Sequence, residues 1–101
     1  MRMKEMFVWR VTVHDGGTWW VVAPDERIAR EVLLEWEVDP AARMQFHRLG
    51  PRDVLTVGAP VQVPRGAVVR ATTATAHVSA WLRVYRMPSV LTYAGVKEAL
   101  Q

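Results

Sequence analysis

The chain has 101 residues, half of them hydrophobic, with five tryptophans and no cysteine, so it is long enough for one domain with a real core, excludes disulfides and thiol chemistry, and argues against a disordered polypeptide. Its formal net charge of +3 averages two unlike parts. Between Asp25 and Asp39, six acids (Asp25, Glu26, Glu31, Glu35, Glu37, Asp39) face only Arg27 and Arg30, whereas from Pro40 to Lys97 eight bases face Asp53 alone, a polarity that serves partner or nucleic-acid recognition or simply solubilises the chain.

The segment from Phe7 to Trp36 holds four of the five tryptophans and organises the rest. Phe7, Trp9, Val11 and Val13 alternate with Val8, Arg10, Thr12 and His14, the period of a strand with one buried face. Asp15-Gly16-Gly17 supplies turn residues that tolerate positive φ, and Thr18 to Ala23 is rich in β-formers. A two-residue turn puts Trp20 and Val22 on the face of Phe7, Trp9, Val11 and Val13, and Trp19 and Val21 beside Val8, Arg10 and Thr12. A three-residue turn exchanges the faces of the second strand. The preferences of two-residue hairpins favour the first register.

Asp25 is a good N-cap, followed by Glu26 in the first helical turn. Ile28, Ala29, Val32, Leu33 and Trp36 form an apolar stripe at helical spacing, with Arg27 and Glu31 as an i,i+4 pair on the polar side. Asp39-Pro40 is the expected end of this helix. The stripe is expected to pack on the hairpin, with Trp20 and Trp36 largely buried and in contact.

Further along, Asp39 could cap a second helix with Pro40 at its first position, but a brief helical turn at Pro40–Ala42 followed by a short strand around Met44 and Phe46 is preferred, and Gly50-Pro51 marks a turn. Val54–Val57 is a β segment, and Gly58 to Gly66 reads as a loop or an edge strand around Val61 and Val63. Val68–Thr75 is β-prone. Residues 76–86 fit both periods: Val78, Trp81, Leu82 and Tyr85 as a helical stripe, or Val78, Ala80, Leu82 and Val84 as a strand face; the helix is the reading adopted here. Thr92 is placed to cap a last short helix. The fold class is therefore α+β in one domain, with an antiparallel sheet built on the N-terminal hairpin and helices mainly on one face.

Two stretches carry a resemblance: Trp20-Val21-Val22-Ala23-Pro24-Asp25-Glu26 with Ala29, and Arg48 through Val57. In them the chain resembles a loose class of small proteins encoded by phages and prophages. The likeness covers about half the chain and its motifs are structural, so it transfers no functional residue. It implies an accessory or anti-defence protein that binds a component of the host.

Chemistry-bearing patterns are sparse. His14, His47 and His77 are far apart, and no metal-ligand spacing joins them. His47 and Asp53 flank the Gly50-Pro51 turn and are placed to orient an imidazole, but no nucleophile lies near. Glu31 and Glu35 lie one helical turn apart on a polar face. Ser79 and Ser89 have no nucleophile-elbow setting, and Gly16-Gly17 precedes a strand rather than a helix. No cofactor and no catalysis are expected. Two binding readings remain. In the first, Trp19 and Val21 with Arg10 form an anchor patch for a protein partner or a second copy, since Trp and Arg dominate interface hot spots; a second core layer over that face is the alternative. In the second, Arg43, Arg48, Arg52, Arg83 and Arg86, with Arg65 and Arg70, form a nucleic-acid surface. Without a secretory or membrane-spanning pattern, a cytoplasmic location is the default.

Overall fold

The computed structural model describes residues 5–60 and 71–92. Their fold is α+β, with the elements in the order β1 (Phe7–Val13), β2 (Gly17–Ala23), α1 (Glu26–Glu35), β3 (Met44–Arg48), β4 (Val54–Pro60), β5 (Ala71–His77), α2 (Val78–Val84) and β6 (Ser89–Val90). An antiparallel four-stranded sheet runs β3-β1-β2-β6, and β4 and β5 form a separate antiparallel pair.

The hairpin is set by a three-residue loop, His14-Asp15-Gly16, which pairs Val13 with Gly17 and carries the same parity to Trp9 opposite Val21 and Phe7 opposite Ala23. Gly16 N–H donates to Val13 C=O at 2.9 Å, with Asp15 at φ 60° and Gly17 at φ 80°. Asp is one of the few side chains that accept this left-handed region, and Gly enters it without steric cost. The two-residue register is therefore corrected. Trp19 and Val21 share the face of Phe7, Trp9, Val11 and Val13, while Trp20 and Val22 share the face of Val8 and Arg10.

A core cluster packs on each face of the hairpin, the second covering its face only in part. On one, α1 buries Ala29, Val32 and Leu33 against Trp9, Val11, Val13, Val21 and Ala23. Asp25 caps α1 as expected, its side chain accepting from Ile28 N–H at 2.9 Å. The helix stops at Glu35, before Asp39-Pro40. Glu37, at φ 63°, and Val38 donate back to the carbonyls of Leu34 and Leu33, closing the end in a Schellman motif. Trp36 thus leaves the helix and is 50% exposed, meeting Trp19 edge-on at 6.2 Å between ring centroids. The expected Trp20–Trp36 contact does not form, because the turn parity puts those side chains on opposite sides of the sheet.

On the second face, Val8 and Val22 pack with Leu49, Leu55, Val57, Val78, Trp81 and Leu91. Trp81 is fully enclosed and its indole N–H donates to Ala76 C=O at 3.0 Å. Residues 78–84 are helical, as read from the sequence, but α2 lies across the sheet from α1, so the helices do not gather on one face. The turn at Pro40–Ala42, held by Asp39, and the strand after it form as read. The expected loop or edge strand around Val61 and Val63 and the helix after Thr92 lie outside the described residues. β6 and the Leu91 N–H bond to Trp20 C=O at 2.8 Å fasten the chain along the β2 edge.

Candidate functional site

Among the described residues, cover on the second face is incomplete. The α2 side of the sheet is closed around Val8 and Val22, while Arg10 and Thr12 on β1 and Gln45 and His47 on β3 stand exposed. There the register places Arg10 opposite both Trp20 on β2 and His47 on β3, so that Trp20, Arg10 and His47 form one cross-strand row. The next row is Thr18, Thr12 and Gln45, and beyond it His14 N–H bonds to Arg43 C=O at 2.9 Å. Directly opposed side chains in a sheet lie close enough to act on one ligand group.

A hollow of about 330 Å³ sits over the first row, walled by Leu49, Asp53 and the β4 residues Val54, Leu55 and Thr56. A second, of about 250 Å³, continues along the same face between Thr12, His14, Arg43 and Gln45. Trp20 is half-buried and offers an apolar wall, while Arg10 and His47 are exposed. Among the described residues the side chains of Arg10 and His47 have no ion-pair or hydrogen-bond partner, and neither do those of Thr12, Gln45 and Arg43 along the second hollow, whereas Asp53, Thr56 and His14 are engaged. Asp53 Oδ2 accepts the Gly50 amide at 2.7 Å rather than orienting His47. Thr56 Oγ1 and Thr75 Oγ1 share a hydrogen bond at 3.0 Å, and His14 lies 3.4 Å from the Asp15 carboxylate.

Of the anchor residues read from the sequence, Arg10 is at this site. Val21 is fully buried beneath α1, and Trp19 is half-buried on the same side, with its indole N–H donating to Gly16 C=O at 2.9 Å. The patch of Trp19, Val21 and Arg10 is not assembled, since Arg10 points to the opposite side of the sheet. Trp20 and His47 take their place. Reading the loop as His14-Asp15-Gly16 would have found Trp20 beside Arg10 from sequence parity alone; the position of His47 needed the β1–β3 register as well.

The arginines do not form one surface. Arg43 lines the second hollow, while Arg48 shares the α1 face with Trp9 and stacks over Phe7, its guanidinium carbon 4.7 Å from the ring centroid. Arg52 lies exposed in the turn before β4, its carbonyl in a 3.0 Å hydrogen bond with His77 Nδ1, and Arg83 and Arg86 are exposed on and just after α2. Arg65 and Arg70 lie outside the described residues. Glu31 pairs with Arg27 at 2.9 Å on the polar side of α1, as its spacing implied. Among the described residues no group of three or more His, Cys, Asp or Glu is placed to hold a metal ion, and no helix is long and apolar enough to cross a membrane. The chain matches no protein-family model, no curated protein and no solved structure with which it was compared.

Proposed function

We propose that the protein is a non-catalytic binding protein that recognises an acidic surface of a partner protein through the open β1–β3 half of its sheet. The observation that carries this is the row of Trp20, Arg10 and His47: an apolar indole wall beside a guanidinium and an imidazole that nothing among the described residues engages. Trp and Arg are the side chains richest in interface hot spots, and an arginine at the mouth of a hollow selects a carboxylate. The hollow lacks an activated nucleophile, with its threonine hydroxyl already shared with Thr75. An accessory or inhibitory role against a host protein, as the likeness to small phage-encoded chains implies, is the setting in which such a module works.

The nucleic-acid reading has less support, because Arg43 and Arg48 sit on opposite faces of the sheet. The test is capture from a nuclease-treated host lysate by the immobilised protein. Arg10→Glu should cut recovery of a retained partner by about tenfold or more, the scale of losing one interfacial charge pair, with an unchanged thermal midpoint. Capture should weaken as salt is raised. Recovery indifferent to Arg10→Glu would sink this reading. Salt-sensitive shifting of single-stranded DNA or RNA, relieved by Arg43→Ala, would instead favour nucleic acid.

A further inference from the structure

β3 forms the outer strand of the sheet on the side away from β6. Two main-chain bonds bracket it, Leu49 N–H to Val8 C=O and His14 N–H to Arg43 C=O, both 2.9 Å. In an antiparallel ladder, opposed residues alternate between bonded and non-bonded pairs. Arg43, Gln45, His47 and Leu49 therefore turn their main-chain groups toward β1. Met44, Phe46 and Arg48 turn theirs outward, and among the described residues no strand meets them there. Proteins usually blunt such an edge with proline, lysine or a bulge. β3 has no proline or lysine, its one arginine stands at its last residue and is stacked over Phe7, and its pairing with β1 is unbroken from Met44 to Arg48.

The side chains along this edge define what fits it. On the α2 face stand Arg43 and His47, with Arg10 one strand further in. On the α1 face stand the half-buried Met44 and Phe46 and, at the end of the strand, the exposed Arg48 stacked over Phe7. β3 carries no carboxylate, so a second copy of the same edge would bring more cations and nothing to neutralise them. From this we infer that β3 docks an extended segment of a partner protein in which acidic and apolar residues alternate. The segment adds as a further strand, its main chain bonded to Met44, Phe46 and Arg48. Its apolar side chains lie beside Met44 and Phe46, and its acidic ones beside Arg43 and His47. The inference rests on the protein-binding reading above and names the form of the partner.

The test is amide NMR on the labelled full chain, titrated with a short synthetic peptide alternating glutamate and valine. The largest shifts are expected at the amides of Met44, Phe46 and Arg48. The same peptide N-methylated at alternate residues should bind about tenfold more weakly or worse, having lost main-chain donors, and a peptide alternating lysine and valine should not bind. Met44→Pro removes one outward N–H at the first residue of the strand, where proline is tolerated, and should also weaken binding by about tenfold. If that variant fails to fold, the N-methylated peptide still decides the matter with the natural chain.

Absence of shifts, or equal binding by the N-methylated peptide, overturns strand addition. So does a concentration-dependent dimer that Met44→Pro dissolves, which would give the edge to a second copy. Lysate capture lost in Arg10→Glu but untouched by Met44→Pro would overturn strand addition while leaving the protein-binding reading standing. Capture untouched by Arg10→Glu would overturn the reading itself.

Discussion

Trp81 and Trp36 occupy opposite extremes of exposure, and their truncation should separate them. Trp81 is fully buried and hydrogen-bonded to Ala76, so Trp81→Ala should cost about 3–5 kcal/mol, the range for emptying a large aromatic site. Trp36 is half exposed at the end of α1, and Trp36→Ala should cost no more than about 1 kcal/mol. Denaturant midpoints on the two variants check both values. Glu37 makes a prediction of the other sign. It sits at φ 63° in a position that glycine normally fills. A non-glycine residue there carries a penalty of roughly 1–2 kcal/mol, partly offset in a Glu37→Gly variant by the greater freedom of glycine in the unfolded chain. Glu37→Gly should therefore raise the thermal midpoint, and a fall would show that the Glu37 side chain contributes more than the backbone gains.

Among the elements, local chemistry was readable and parity was not. Asp25 announced the start of α1, and the alternation from Phe7 to Val13 announced β1, because caps and strand faces depend on residues close together in the chain. The end of α1 was harder to see, since a Schellman closure built on Glu37 lacks the usual glycine and Asp39-Pro40 supplied a louder stop signal. The hairpin register turned on whether the loop holds two residues or three, and Asp15-Gly16-Gly17 is compatible with either. That one ambiguity misplaced Trp19, Trp20 and Val21 together, and with them the candidate site; Arg10 survived because it belongs to the first strand. His47 could not be placed beside Arg10 without the β1–β3 register, which joins residues nearly forty positions apart. The turn itself is testable. Gly17 at φ 80° has open space around it, so Gly17→Ala should lose about 1–2 kcal/mol through backbone strain alone. Gly16→Ala should lose stability by a different route, because a Cβ there would lie 2.7 Å from Val13 Cγ1. Thermal melts of the two variants measure both losses.

At the scale of the whole molecule, the β1–β2 hairpin is the shared wall of two cores, one beneath α1 and one beneath α2. Neither core keeps its wall if the other releases the hairpin. Unfolding should therefore be a single transition, with tryptophan fluorescence and far-ultraviolet circular dichroism giving coincident curves. Leu33→Ala in one core and Trp81→Ala in the other should each move that one transition; a split into two steps in either variant would refute the coupling. The three-residue loop has a consequence for how such a chain can change over generations. Losing or gaining one residue between Val13 and Gly17 would turn every side chain of β2 over, sending Val21 toward α2 and the larger Trp20 toward α1, onto the face where Val21 and Ala23 are now fully buried. A change of two residues would preserve the facing. Related chains should therefore vary in this loop by even lengths, and an odd change should appear only with a compensating bulge in the strand beyond it.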